Sequence, residues 1–89
     1  MHEMGIASSV LEAVQREVDK CPGARATKVG LRIGEWAGVD LESLRFCFEA
    51  LAPAEGFAEL SLEIEYRPRG PELEIAFVEL EDQTWNELL

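Results

Sequence analysis

Residues 27–34 read TKVGLRIG, a stretch in which apolar and polar side chains alternate. Its large apolar residues, which all fall on one side of an extended chain, are Val29, Leu31 and Ile33. Alternation of this kind is typical of a β-strand that buries one face. The stretch therefore predicts a strand that needs a layer of structure packed against its apolar side.

An amphipathic helix is predicted on each side of this strand along the chain. Residues 6–20 end at Pro22 and the following glycine, and they place apolar side chains at helical spacing, namely Ala7, Val10, Leu11, Val14 and Val18. After the strand, Asp40 is a typical helix N-cap, and a second apolar stripe spans residues 41–51 and ends before Pro53. These two helices can supply the layer that the strand requires.

Two further strands are predicted at residues 60–67 and 72–77, with the apolar side chains of the second on a single face. Between them, residues 68–71 read PRGP, a turn that suits a β-hairpin, so we expect the two strands to pair with each other. The element order α-β-α-β-β predicts an α/β two-layer sandwich, in which two helices pack on one face of a three-stranded sheet. The exposed face of the sheet is expected to be acidic.

The composition limits the class of protein. Eighty-nine residues suffice for a single domain, and an apolar fraction of 47% argues against disorder. Eighteen acidic against eight basic residues give a formal charge of −10, which repels nucleic acid and anionic membranes. No apolar run approaches the ~20 residues of a membrane span, and the acidic start is unlike a signal peptide, so we expect a cytoplasmic protein.

The chain has too few cysteine and histidine residues for a typical zinc site or a nucleophile activated by histidine. Cys21 and Cys47 do not form a CxxC pair, and His2 is the only histidine. We therefore expect neither a disulfide nor a zinc site. No nucleophile has a histidine base near it and there is no glycine-rich phosphate loop, so we assign no catalytic residues and do not expect an enzyme.

The chain begins Met1-His2-Glu3-Met4, which places an imidazole beside a backbone amine. The Met1 α-amine and the His2 amide nitrogen close a five-membered ring on a metal ion, and that amide and His2 Nδ1 close a six-membered ring. Three nitrogens in one plane suit Ni(II) or Cu(II) better than tetrahedral zinc. We expect Met1 to be retained, because aminopeptidases usually remove it only before small residues. The alternative is a solvated terminal histidine without a ligand.

The fourth position of this plane, opposite the His2 amide, is open to several donors. The Glu3 amide cannot fill it, because that nitrogen would also have to lie next to the His2 amide. The candidates are the Glu3 carboxylate, the Asp40 carboxylate, water or a ligand from a partner protein. For Asp40 we favour the role of an ordinary helix cap.

Several stretches together resemble the HypA family of hydrogenase maturation factors. They are Met1-His2-Glu3-Met4, Ile6-Ala7, Leu31-Arg32-Ile33-Gly34-Glu35, Gly38-Val39 and Leu44-Arg45-Phe46. The resemblance runs from residue 1 to about 67 and resumes at about 72–81. It implies a nickel metallochaperone for [NiFe] hydrogenase that binds Ni(II) at Met1, His2 and Glu3. It also implies a HypB-type GTPase and the hydrogenase large-subunit precursor as partners.

The chain departs from the HypA family in one large respect. Family members carry a zinc domain with two CxxC pairs between the last two strands, where this chain has only residues 68–71. The resemblance therefore implies one nickel-binding domain over residues 1–89, without zinc. Residues 83–89 extend beyond the usual family end.

A second hypothesis is a metal-independent interaction module derived from the same fold. It would bind a protein, or a second copy of itself as a homodimer, through the acidic sheet face or the tail. In the tail, Trp85, Leu88 and Leu89 are expected to lie on a short amphipathic helical turn that packs on the sheet or on a neighbouring copy. Trp36 is another candidate anchor, although a half-buried turn tryptophan is commoner.

Overall fold

The computed structural model describes residues 2–82. Its elements are α1 (Glu3–Asp19), β1 (Ala24–Gly34), a 3₁₀ turn (Glu35–Ala37), α2 (Leu41–Ala54), β2 (Ser61–Arg67) and β3 (Leu73–Asp82). The predicted α/β class and the order α-β-α-β-β are confirmed. Among these residues no helix is both long enough and apolar enough to cross a membrane.

Both helices extend beyond their predicted bounds. The first begins three residues earlier than predicted, because Ile6 N–H donates to His2 C=O at 3.1 Å and closes an additional first turn. The second continues through Pro53 to Ala54. A proline near the end of a helix removes only one donor, and the last turn is closed by Glu55 N–H, which donates to Leu51 C=O at 3.1 Å.

The sheet has the strand order β2-β1-β3, with β1 in the centre. Strand β2 pairs with β1 in parallel, and β3 pairs with β1 in antiparallel orientation. The predicted hairpin is therefore wrong, because the two strands that flank residues 68–71 lie on opposite edges of the sheet. Most of the buried strand residues lie in β1. This agrees with its central place, because a central strand has a neighbouring strand on each side.

The segment between β2 and β3 crosses the end of β1. Gly34 N–H donates to Glu72 C=O at 2.7 Å, and Trp36 N–H donates to Gly70 C=O at 2.9 Å. Arg69 N–H donates to a carboxylate oxygen of Glu35 at 2.8 Å. These three bonds fix the crossing segment to the turn that follows β1.

A β-bulge at Ala76 changes which side chains of β3 share a face. Gly30 pairs with Phe77 and Leu31 pairs with Ile75, which leaves Ala76 without a partner on β1. The expected single apolar face of this strand is therefore wrong for Phe77, because one extra residue turns it to the opposite face from Ile75. The Phe77 ring packs over Gly30, where a Cβ atom would overlap it.

The core lies between the helices and one face of the sheet. Its fully buried large side chains come from α1, β1 and α2, namely Val14, Val29, Ile33 and Leu44. Cys47 packs at the margin of this core, whereas Cys21 is exposed. The described part of the chain thus forms the two-layer sandwich with helices on one face.

The face of the sheet that points away from the helices carries basic side chains on β1 and acidic side chains on β2 and β3. Arg32 of β1 lies between Glu74 of β3, at 2.8 Å, and Glu65 of β2, at 3.3 Å, and the Glu74 hydrogen bond raises the pKa of Arg32. Lys28 lies 3.7 Å from carboxylates on both edge strands. The face is therefore acidic on its edge strands, as expected, but basic along its central strand. Exposed pairs of this kind each contribute little to stability.

Candidate metal centre

His2 stands at the entry to α1, exposed to solvent. Its carbonyl accepts the first hydrogen bond of the helix, and its backbone is not helical, with φ −84° and ψ 86°. Met1, the predicted source of the amine donor, lies outside the described residues. The imidazole is thus carried by the N-cap residue, one position before the first residue of α1.

Glu3 ties the beginning of α1 to the beginning of α2. Its Oε2 accepts a hydrogen bond from Asp40 N–H at 3.0 Å. This backbone donor lowers the pKa of the Glu3 carboxyl below its ordinary value. To serve as a metal ligand through the same oxygen, Glu3 would have to give up this bond. Sequence reasoning missed this link, since nothing in the sequence spacing pairs residue 3 with residue 40.

Asp40 is the N-cap of α2, as favoured from the sequence. Its Oδ1 accepts a hydrogen bond from Ser43 N–H at 3.1 Å. Because its backbone N–H holds Glu3 while its side chain caps the helix, Asp40 joins the first residues of both helices. The fold thus brings together the two carboxylates considered for the fourth metal position.

Replacing Asp40 separates capping from metal ligation. We expect Asp40→Ala to lower the free energy of unfolding by about 1 kcal/mol through loss of the cap. Asp40→Asn should keep stability within a few tenths of a kcal/mol, because asparagine caps about as well. We expect the nickel affinity of Asp40→Asn, measured by calorimetry, to stay within about threefold of the wild-type value, because the carboxylate caps a helix and is not a ligand. A tenfold change in affinity would correspond to about 1.4 kcal/mol. A tenfold loss at unchanged stability would instead make the carboxylate a ligand.

The electrostatics of a helix start constrain any cation bound there. The first backbone N–H groups of an α-helix have no carbonyl partner within the helix. Here the N-cap residue, His2, makes no side-chain capping hydrogen bond. This end of a helix is electropositive and favours negative charge. A divalent cation bound here is therefore best accommodated by anionic ligands, such as a deprotonated backbone amide, because they cancel part of its charge.

An apolar groove of about 570 Å³ opens beside His2, between α1 and the start of β3. It is lined by His2, Gly5, Ile6, Ser9, Val10, Leu31, Leu73, Glu74 and Ile75. Leu73 and Ile75 remain 42% and 37% exposed. Sequence reasoning did not identify this groove, because it depends on how far α1 covers β3.

Two other expectations concern side-chain clusters and Trp36. Within residues 2–82, no group of three or more histidine, cysteine or acidic side chains is placed to hold a metal ion. Trp36 is 67% exposed rather than half-buried, although its backbone N–H donates to Gly70 C=O in the crossing segment.

The family model described as hydrogenase/urease nickel incorporation, metallochaperone, HypA matches residues 1–76. The chain belongs to the HypA family. That family is one of maturation factors and is not described as catalytic. No solved structure matches the chain.

Several HypA proteins are similar to this chain. The hydrogenase maturation factor HypA of Chlorobaculum tepidum is 50% identical over 66 residues, covering 71% of this chain and 58% of that protein. HypA of Pelodictyon phaeoclathratiforme is 44% identical over 70 residues, covering 79% and 59%. HypA of Methanopyrus kandleri is 47% identical over 68 residues, covering 73% and 47%. The chain thus spans about half to three-fifths of the HypA relatives it matches.

Proposed function

We propose that this chain binds one Ni(II) ion at Met1, His2 and Glu3 and delivers it during the maturation of [NiFe] hydrogenase. The observation that carries the proposal is the match of a nickel-incorporation family from residue 1, together with an exposed imidazole at residue 2. Nickel is the cargo of this protein and not a resident cofactor. The proposal requires a free α-amine on Met1, which N-terminal sequencing of the purified protein checks.

Three nitrogens would hold the ion in the proposed site. They are the Met1 α-amine, the His2 amide and His2 Nδ1, which close a five-membered and a six-membered ring. The electropositive start of α1 supports this donor set, because it favours the deprotonated amide over the neutral one. Glu3 contributes through position, since its bond to Asp40 N–H holds the residue after His2 in place.

The fourth position is proposed to be labile. The Glu3 oxygen that accepts from Asp40 N–H and the Asp40 oxygen that accepts from Ser43 N–H are both occupied by hydrogen bonds 3.0 and 3.1 Å long. Water or a ligand from a partner protein is therefore the better candidate. A weakly held fourth ligand suits a protein that must release its ion.

Protons and other metals compete for such a site. The amine, the amide and the imidazole must each be free of a proton before they bind, so affinity should fall steeply below neutral pH. Cu(II) should bind more tightly than Ni(II), and zinc should bind weakly because it deprotonates amides poorly. Selectivity in the cell would then rest on metal supply and partners.

By resemblance, the partners would be a HypB-type GTPase and the hydrogenase large-subunit precursor, in the cytoplasm. We also propose that residues 68–71 stand in place of the zinc domain of other HypA proteins. The crossing segment, fixed by three hydrogen bonds to Glu35 and its neighbours, supports a single domain without it. Whether this shortened form engages both partners is tested by pull-down with each of them.

The exposed ring of Trp36 favours one alternative, a metal-independent interaction module built on the same fold. Equilibrium dialysis against Ni(II) separates the two functions. The nickel chaperone is expected to retain about one ion per chain at neutral pH and to lose it on mild acidification. An interaction module would retain no more nickel than a control protein of similar charge, and size-exclusion chromatography at several concentrations would then reveal self-association.

A further inference from the structure

Strand β3 forms one edge of the sheet. Within the part of the chain that the structure describes, it pairs with β1 on one side, and the strand order β2-β1-β3 places no strand on its other side. An edge strand presents a row of backbone N–H and C=O groups, with which another extended chain can pair. With 10 residues, β3 is long enough for such a pairing.

The face of the sheet that points away from the helices has a regular charge pattern. Each base of β1 lies between two acids, one on the side of β2 and one on β3. The three groups are Glu65, Arg32 and Glu74; Glu63, Lys28 and Glu79; and Glu59, Arg25 and Glu81. Because every base is shared by two carboxylates, the acidic row along β3 keeps part of its negative charge.

The two edges of the sheet differ in how this charge is compensated. On β2, Glu65 also accepts a hydrogen bond from Arg67 Nε at 2.7 Å, a base of the same strand. The sequence of β3 reads LEIAFVELED and contains no base. A basic segment beside β3 would therefore continue the alternation of acid and base across the sheet, and cross-strand pairs of opposite charge are stabilising.

The side of β3 that points towards the helices is apolar. Ile75, Val78 and Leu80 line a groove of about 340 Å³ together with residues of α1. Side chains of a strand alternate between the two faces of a sheet. In a strand added to β3, every second side chain would therefore enter this groove, and the side chains between them would lie beside the acidic row.

A second copy of this chain fits the edge poorly. Two β3 strands paired antiparallel about a two-fold axis would place one acidic row against another. Like charges directly opposite each other destabilise a strand pair. The acidic row therefore selects against self-pairing and in favour of a basic partner.

We propose that the outer edge of β3 binds an extended segment of a partner protein, in which basic residues alternate with apolar ones, as a fourth strand of the sheet. Its basic side chains lie beside Glu74, Glu79 and Glu81, and its apolar side chains enter the groove beside α1. The proposal makes no use of nickel binding, and its experiments are done without metal.

Amide resonances of the full, ¹⁵N-labelled chain locate the binding edge. The probe is a short synthetic peptide of alternating lysine and valine with blocked ends, used at low ionic strength because salt screens exposed charges. We expect it to shift the amides of β3 and slow their hydrogen exchange, with much smaller effects on β2. Unchanged β3 amides at millimolar peptide, or equal shifts in β2, would overturn the proposal. So would β3 shifts that depend on protein concentration without peptide, because a second copy would then occupy the edge.

A second peptide tests pairing through the backbone. It has the same side chains but carries methyl groups on alternate backbone nitrogens, which removes the N–H donors along one of its edges. We expect this peptide to bind with at least about tenfold lower affinity if it can pair only through its unmethylated edge in the wrong facing, and the doubly methylated form not to bind. Equal affinity of the fully methylated and unmethylated peptides would contradict the proposal, because the charges alone would then account for binding.

Charge reversal on the two sides of Lys28 provides a matched pair of variants. Glu63 on β2 and Glu79 on β3 each lie 3.7 Å from Lys28 Nζ, and both are exposed. We expect Glu79→Lys to weaken binding of the lysine–valine peptide by at least about fivefold, because an attractive cross-strand pair becomes a repulsive one. Glu63→Lys changes the net charge equally and should alter the affinity by less than about twofold. Equal losses in the two variants would show attraction to the overall charge and would contradict the proposal.

Discussion

Replacing His2 by alanine is expected to weaken Ni(II) binding by more than about 100-fold, because loss of a metal ligand exceeds the 10–100-fold cost of losing an outer partner of a ligand. The imidazole closes the six-membered ring, and without it two backbone donors remain. The side chain is exposed and caps nothing, so thermal stability should not change. Calorimetry with Ni(II) at neutral pH measures the affinity.

Ser9→Ala is the control for His2→Ala, because Ser9 lines the same groove without being a proposed donor. Its nickel affinity should equal that of the wild type. If the nickel affinity of His2→Ala stayed within about threefold of the wild-type value, the imidazole would not be a ligand. A threefold change is a smaller free energy than the ~1.4 kcal/mol of a tenfold change.

Extending the N-terminus by a single residue is unsuitable as a second test. It would make the histidine the third residue, so that an amine, two amides and the imidazole could surround the ion in one plane. An extension by two residues avoids this arrangement. It should weaken nickel binding as strongly as His2→Ala does, and it leaves every side chain of the chain intact.

Replacing Gly34 by alanine is expected to lower the free energy of unfolding by about 3 kcal/mol, at the upper end of the range for overpacking. A Cβ atom at Gly34 would overlap the carbonyl group of Gly70 and approach Glu72 N within 2.8 Å. The obstacles are backbone atoms of the crossing segment, which cannot rotate away. The hydrogen bond from Gly34 N–H to Glu72 C=O would be lost with the displacement.

The measurement for Gly34→Ala is thermal unfolding, with a fall in midpoint of about 12–24 °C. Gly5→Ala is the matched control, since a Cβ there meets no atom within 4 Å and the residue lies in α1. That variant should be more stable by about 0.5 kcal/mol, because alanine is the better helix former. A Gly34→Ala chain as stable as the wild type would show that residues 68–72 do not press on the end of β1.

The fold class could be predicted because each element carries its own periodicity. The alternation around Val29, the helical stripes and the cap at Asp40 are local signals, and each predicts its element without reference to the others. The pairing of strands is not local. Residues 68–71 suit a tight hairpin and also a segment that crosses a third strand, so turn chemistry alone could not distinguish the two.

The bulge at Ala76 was equally hidden in the sequence. Alternation in residues 72–77 fits an unbroken strand, and only the register with β1 shows that Phe77 changes face. Gly30 was a usable signal, since a glycine inside a strand often marks the close approach of another group. Here the approaching group is the Phe77 ring.

The candidate metal centre divides in the same way. Its proposed donors, Met1, His2 and Glu3, are adjacent in sequence, and chelate rings depend on covalent geometry alone, so the donor set is a prediction from the sequence that still awaits its test. The tie between Glu3 and Asp40 spans 37 residues and exists only after α1 packs beside α2. The groove beside His2 depends on how α1 packs over β1 and β3, which no sequence pattern could reveal.

Acetylation of the terminal amine tests the central claim most directly, because it removes one nitrogen without changing any side chain. Visible absorption and magnetic measurements on the Ni(II)-loaded, unmodified protein should report a planar, nitrogen-rich, diamagnetic ion, and the acetylated protein should fail to form it. Equal nickel uptake by both proteins, or a paramagnetic six-coordinate ion in the unmodified one, would contradict the account.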